Sequence, residues 1–286
     1  MTLISALLGI AADHLFPQLH EYRRYGWFLQ YVDWMSEHLS SSAWEHAGGL
    51  LLMLSPLWLA VAMLQIWVAD WLFGVVGLLF YATVFFYCLG PRDLSADVDA
   101  YCESCRSGDT EPCRRAAGCL LRDGEPEDMP AASRITGAVL VEAGDRLFAV
   151  LFWFALLGPA GAVMYRSVSV LYRRRREHDV FADSIAWLYG ILLWAPARAL
   201  ALGLALAGHF DAALRGWREA HRVQPQGVDG SERVLVLSGS GALAQGEVAD
   251  ETPDTESVRG AMRLVERTLM LWLVALSLLV LAGWAG

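Results

Sequence analysis

Lysine and asparagine are absent from this 286-residue sequence, so all 22 of its basic residues are arginines. Without lysine there is neither a Walker-type phosphate loop nor Schiff-base chemistry, and without asparagine there is no N-glycosylation acceptor. Ser238-Gly239-Ser240-Gly241 has the glycine content of a phosphate loop but not its lysine, and reads as a flexible turn. Charge is scarce as well: 19% of the residues carry it, against about 25% in an ordinary soluble domain. The balance is acidic, with a formal net charge of −9, which argues against nucleic acid as a partner.

What fills the space is apolar. Hydrophobic residues make up 56% of the chain, and its mean hydropathy is +0.38. Residues 48–67, 71–90, 147–165 and 268–286 form runs of 19 or 20 residues without a charge. About 20 residues of helix cross a hydrocarbon core, and a helix satisfies its own backbone hydrogen bonds there. The sequence therefore predicts an all-α, polytopic membrane protein whose first partner is the lipid bilayer. Residues 1–90 read as three transmembrane helices, the first from Thr2 to about Leu19, with a loop at 20–47. Residues 91–146 read as a helical insert, 147–210 as broken membrane helices, 211–266 as a polar segment and 267–286 as the last transmembrane helix.

Arginine placement orients these segments. Arg23 and Arg24, the six arginines from Arg92 to Arg134, the block Arg173–Arg176 and the seven from Arg215 to Arg267 can all lie on one side. The positive-inside bias makes that side cytoplasmic, with both termini opposite. For this to hold, 147–165 cannot span. Gly158-Pro159-Ala160-Gly161 interrupts it, and proline inside a helix removes a hydrogen bond. Two half-helices, about 147–157 and 161–175, that enter and return are expected. Ser184–Phe210, with Arg198 beside Pro196, reads the same way, a hairpin of two true spans being the rival. Helices are expected over Asp93–Ser107, ending at Gly108, and over Glu111–Arg122. Val223–Pro253 shows no helical period and offers a short strand at Val234–Leu237.

Polar residues gather in a few places. Asp13, His20 and Arg23 sit where the first span meets the polar side, a carboxylate, an imidazole and a guanidinium suited to an anion or to solvation as anchors. Glu142, Asp145 and Arg146 recur at i, i+3 and i+4 on one helical face. Tyr165 and Arg166 follow the Gly158–Gly161 break. Arg198 stands in an otherwise uncharged run, and an arginine there is expensive unless it faces a carboxylate or a bound anion. One polar pocket facing the cytoplasm and built from Asp13, His20, Arg23, Glu142, Asp145, Tyr165, Arg166 and Arg198 is expected to bind a small-molecule or anionic ligand. Cys102, Cys105, Cys113 and Cys119 have one Cys-x-x-Cys spacing and one wider gap. They read as free, helix-packing thiols without a bound metal, since a reducing compartment disfavours disulfides.

Leu151-Phe152-Trp153, Gly158-Pro159-Ala160-Gly161, Tyr165-Arg166 and Pro196-Ala197-Arg198 resemble the membrane-protein family that groups adenosylcobinamide-phosphate synthase with AmpE, the regulator of β-lactamase induction. Asp13, Pro17, His20 and Arg23 resemble a degraded form of the synthase's Asp-Pro…His-Pro-Val-Arg element, and Glu142 its Ala-Glu-Asn glutamate. Ser167-Val168-Ser169-Val170 departs from the Asn-Thr-Leu-Asp run that follows Tyr-Arg in the synthase, and Asp183-Ser184 from a later Asp-Asp pair. On these departures the resemblance implies an AmpE-like sensory protein of β-lactamase induction and cell-wall recycling, a signalling part of antibiotic resistance, with no reaction of its own. The alternative is a cobinamide-type synthase that joins an amine to a carboxylic acid and, by the same resemblance, uses ATP and Mg²⁺. A transporter with a midplane site is a third possibility, and an oligomeric state is left open.

Overall fold

The structure, a computed structural model, describes residues 2–15, 25–38, 47–68, 75–90, 93–107, 109–122, 124, 126, 128–174, 181–222, 227–243 and 255–282; at 2–3, 11–15, 37–38 and 47 it describes the backbone alone. Every regular element among them is helical: α1 (Thr2–Leu15), α2 (Gly26–His38), α3 (Ala47–Val68), α4 (Val75–Cys88), α5 (Leu94–Arg106), α6 (Thr110–Leu120), α7 (Ala132–Ala143), α8 (Ala149–Leu157), α9 (Pro159–Arg174), α10 (Ala182–Ala207), α11 (Phe210–Arg222), α12 (Gly227–Ala242) and α13 (Thr255–Leu281). A π-helical turn, Gly144–Phe148, links α7 to α8. Gly48–Val68, Ala182–Ala207 and Thr255–Leu281 are long and apolar enough to cross a membrane, and Val75–Cys88 is a shorter apolar helix. The protein is a helical membrane protein.

Two compact units share the chain. The first comprises residues 1–91, 149–192 and 276–286, and the second 92–148 and 193–275. In the first unit, α1 packs on α4, and α9 packs on α3, α4 and α8. Its core is aromatic: Phe154 lies with its ring centroid 4.7 Å from that of Phe85 and 6.1 Å from that of Tyr81.

The break at Gly158–Gly161 is a reversal between two short helices. Gly158 takes φ +68°, a left-handed conformation that suits glycine at a helix C-terminus, and Pro159 opens α9, where its missing N–H costs nothing. A Cβ on Gly161 would lie 2.3 Å from the carbonyl oxygen of Trp153, eight residues earlier. In a straight helix that interval spans about 12 Å, so the chain has folded back on itself. Gln65 of α3 holds the reversal. Its Nε2 donates to the Leu157 carbonyl at 3.4 Å, and its Oε1 accepts from the Ala160 N–H at 3.1 Å. One amide side chain thus serves the last carbonyl of α8 and the first N–H donor of α9.

Two prolines inside helices are handled in the same way. Pro56 in α3 cannot donate to the Leu52 carbonyl, and Ser55 Oγ donates to it instead at 2.9 Å. Pro196 in α10 frees the Leu192 carbonyl, which accepts from Trp153 Nε1 at 3.0 Å. That donor corrects the expectation that Ser184–Phe210 is broken. With its freed carbonyl satisfied, α10 runs unbroken for 26 residues.

In the second unit, α12 packs against both α7 and α11. The expected strand at Val234–Leu237 is therefore incorrect, because those residues lie inside α12. The Ser238–Gly241 stretch is not a turn either. A Cβ on Gly241 would meet the Ala212 carbonyl at 2.4 Å, and one on Gly239 would meet Leu140 Cδ1 at 2.5 Å. These glycines let α12 approach α11 and α7 more closely than any side chain would allow. α5 and α6 form a helical hairpin, each with buried residues at helical spacing: Leu94, Val98, Tyr101 and Cys102 on one, Cys113, Ala117 and Leu120 on the other. Asp93 caps α5, its side chain accepting from Ser95 N at 2.9 Å. Gly108 lies outside the described residues.

Candidate functional site

Glu142 ends α7 inside the core of the second unit, with its side chain 2% exposed. One carboxylate oxygen accepts from Arg122 Nε at 2.9 Å and the other from Arg146 Nε at 2.5 Å. Arg146 Nη1 continues to Asp97 of α5 at 2.9 Å. Arg122, two residues past α6, also donates to Glu232 of α12 and lies 4.0 Å from Asp145, whose side chain is 1% exposed. The π turn begins two residues after Glu142 and holds Asp145 and Arg146. Arg146 reaches Glu142 at the i,i+4 spacing of one helical face. Charge-assisted hydrogen bonds of this kind are among the stronger ones in proteins.

Among the described residues, the four carboxylates of Asp97, Glu142, Asp145 and Glu232 meet the two guanidinium groups of Arg122 and Arg146. Burial pushes the Glu232 carboxyl above its ordinary range; Arg122 pulls it back, while Asp145 and Asp229 add to the rise. Glu232, at 26% exposure, is the most accessible carboxylate of the four. The outermost carboxylate of the site, Glu232, takes up a proton more readily than an ordinary glutamate does.

The remaining expected residues are placed as follows. Tyr165 and Arg166 are buried in the first unit. Arg166 Nε donates to Tyr25 OH at 3.0 Å, with the guanidinium 5.5 Å from the centroid of that ring. The Tyr165 ring lies 6.1 Å from that of Tyr189. Ser167, where the synthase pattern has an amide, accepts from Trp58 Nε1 at 3.0 Å. Arg198, expected to face a carboxylate or a bound anion, is placed against an aromatic ring. It is half-buried, forms no ion pair among the described residues, and sits 4.2 Å over the Trp194 ring while donating to the Trp194 carbonyl at 3.1 Å. An aromatic face one turn away satisfies the guanidinium without a counter-charge. His20 and Arg23 lie outside the described residues, as does the side chain of Asp13.

Asp97, Arg122 and Glu232 were not foreseen. Their contacts join residues 20, 49 and 110 positions apart, and separations of that size leave no periodic trace in a sequence. The reading of the cysteines as free packing thiols is also corrected, because Cys105 and Cys113 form a disulfide with Cα atoms 4.7 Å apart. The end of α5 and the first turn of α6 bring them together, within the usual span for such a bond. Cys88 and Cys102 are buried free thiols, and Cys119 is an exposed one. Among the described residues no three His, Cys, Asp or Glu side chains come together as a metal-binding set.

A model of the CobD/Cbib protein family matches residues 6–229. A cobalamin biosynthesis protein CobD of Chromobacterium violaceum is 31% identical over 213 residues, covering 68% of each chain. Another, from Stutzerimonas stutzeri, is 28% identical over 280 residues and covers 90% of each. No solved structure gives a significant match. These findings overturn the AmpE reading. The relatives carry a biosynthetic name where a regulator of β-lactamase induction, a signalling protein without a reaction of its own, was expected.

Proposed function

We propose, for a chain that belongs to the CobD/Cbib protein family, that it is a membrane-bound, amide-forming synthase of cobalamin biosynthesis, joining an amine to a carboxylic acid of a cobinamide-type corrinoid. The observation that carries this reading is the buried network around Glu142, because the family match covers Asp97, Arg122, Glu142, Asp145 and Arg146, with Glu232 three residues beyond its end.

The chemistry asks two things of such a site. An amine in water is an ammonium ion, so it has to be gathered and then stripped of a proton before its lone pair can attack. The accessible carboxylate of Glu232 gathers it. Glu232, accessible and with its carboxyl raised, accepts the proton as general base. The carboxyl carbon then forms the C–N bond as its C–O bond breaks, and the oxygen leaves with the group that would activate the acid. Arg122 holds Glu142, Asp145 and Glu232 in one constellation while this happens. ATP and Mg²⁺, where the reaction uses them, supply the activation of the acid. The described carboxylates do not form a metal-binding set by themselves, and no step above is routed through either group. With no lysine in the chain, phosphate charge would fall to arginine. The same reading places the protein in a bacterial inner membrane as a multi-pass chain.

The test is product formation by the full-length protein in lipid nanodiscs supplied with a corrinoid carboxylic acid, candidate amines, ATP and Mg²⁺. Mass spectrometry should detect the amide with the wild type, and Glu232→Gln should lower the rate about 100-fold or more while remaining folded. An unaltered rate in that variant would remove Glu232 from its role. If the wild type forms no amide with any pair, and does not restore a strain blocked at this joining step, the synthase reading is wrong.

A further inference from the structure

Cys105 lies in the last turn of α5 and Cys113 in the first turn of α6, so their disulfide sits at the closed end of the α5–α6 hairpin. The open end of the same hairpin carries two anchors of the Glu142 network: Asp97, in the first turn of α5, and Arg122, two residues after α6. Each anchor stands eight or nine residues from its cysteine, about 12–14 Å of helix. A change of about 5° in how the helices cross at the cysteines moves the anchors by about 1 Å over that length. That is enough to convert a 2.9 Å hydrogen bond into a gap.

We propose that Cys105 and Cys113 form a reversible thiol–disulfide site whose oxidised state holds Asp97 and Arg122 on the Glu142 network and whose reduced state loosens them. Its link to turnover rests on the synthase reading, whereas its existence does not. Oxidation requires a disulfide-bearing co-substrate of low molecular weight. Cys105, the more accessible of the two, attacks it and forms a mixed disulfide with loss of one thiol. Cys113 then displaces the second thiol and closes the Cys105–Cys113 bond. Two electrons and two protons pass from the cysteines to the co-substrate, which leaves as two thiols. Position favours Cys113 as the resolving group, because it lies at a helix N-terminus, where thiolates are stabilised. Cys102 is a poor competitor: it is buried, its thiol points to the Thr255 carbonyl at 3.7 Å, and burial pushes its ionisation up.

The experiment equilibrates full-length protein in nanodiscs with mixtures of oxidised and reduced glutathione, then alkylates the free thiols and maps them by mass spectrometry. Cys105 and Cys113 should titrate together in a single two-electron transition and appear as one linked peptide pair. Hydrogen exchange along 94–106 and 114–122 should quicken about tenfold or more on reduction, a modest share of what closing a short loop withholds from the open state. Cys105→Ser and Cys113→Ser should exchange at the reduced rate under all conditions. The wild-type titration decides the matter even if either variant fails to fold. Independent alkylation of the two thiols at the oxidising end, a Cys113–Cys119 link, or equal exchange in both states would overturn the proposal. If exchange responds while no amide forms in either state, the switch stands and the synthase reading falls.

Discussion

The two units of the chain meet the same difficulty, polar groups shut away from water, with different chemistry. In the first unit, backbone groups released by Pro56, by the Gly158–Gly161 reversal and at Leu192 are served by the neutral side chains Ser55, Gln65 and Trp153, and even the buried Arg166 is met by a neutral phenol, that of Tyr25. In the second unit the buried groups are themselves ionised, and arginines Arg122 and Arg146 bridge carboxylates from α5, α7, α12 and the π turn. Neutral repair costs little desolvation and can be made locally. A charged network is expensive to bury, and it becomes very unstable when one partner is lost. A framework needs only the first arrangement. The second is worth its cost where chemistry uses the charge, which is why the reactive centre is assigned to Glu142 and its neighbours and the reversal at Gly158 is assigned to support.

Removing Glu142 should break this comparison most severely. Glu142→Ala leaves Arg122 and Arg146 facing each other without the carboxylate between them, and a loss of about 3–5 kcal/mol is expected, seen as a collapse of folded yield and melting temperature. Exchanging Glu142 together with Arg122 and Arg146 for apolar residues of similar size should recover much of that stability and none of the activity. An intermediate effect is expected in the first unit. Gln65→Leu strands the Leu157 carbonyl and the Ala160 N–H at about 1–3 kcal/mol each, so the melting temperature should fall while Gln65→Glu at low pH, which keeps an acceptor and a donor, falls less. If Gln65→Leu costs more than Glu142→Ala, the contrast between neutral and charged repair fails.

Glu232 sharpens the comparison through pH. Its folded carboxyl is raised, so between the ordinary glutamate value of about 4.3 and the raised one the folded chain holds more protons than the unfolded chain. Stability contributed at this position is present at low pH, falls as pH rises through that window and levels off above it. Thermal unfolding across pH 4 to 8 should show this slope in the wild type and lose it in Glu232→Gln. Catalysis should move the opposite way, rising as Glu232 gives up its proton. The smallest effect belongs to Arg198. Arg198→Ala removes a contact with Trp194 worth about 0.5–1 kcal/mol and should leave amide formation within about twofold of wild type, which a matched assay of the two proteins would check.

Much of the framework was legible in the residues. Long uncharged runs predicted membrane helices because lipid leaves the backbone few alternatives, and α3 and α13 have that length and character. Gly158-Pro159 predicted the break between α8 and α9 because glycine and proline act on the residues beside them. Glu142 was singled out with Asp145 and Arg146 because three or four residues along a helix is a local distance, and the Arg146–Glu142 pair is there. Pro196 was misread for an instructive reason: whether a proline breaks a helix depends on whether something else takes the freed carbonyl, and the donor is Trp153, 39 residues away from Leu192.

The sequence by itself determined the class of the protein, the break between α8 and α9 and the local pairing of Glu142 with Arg146, all consequences of composition and of spacing within one or two turns. Only the tertiary structure decided which charges meet Glu142, that the glycines at 239 and 241 serve helix contact, that 234–237 is helix and that Cys105 finds Cys113. The physical reason is the same in each case. Hydrogen bonds along a helix are fixed by neighbours in sequence, whereas the partners of a buried charge, a close-packed glycine or a thiol are fixed by which helices pack together, and packing joins segments whose order along the chain carries no trace of it.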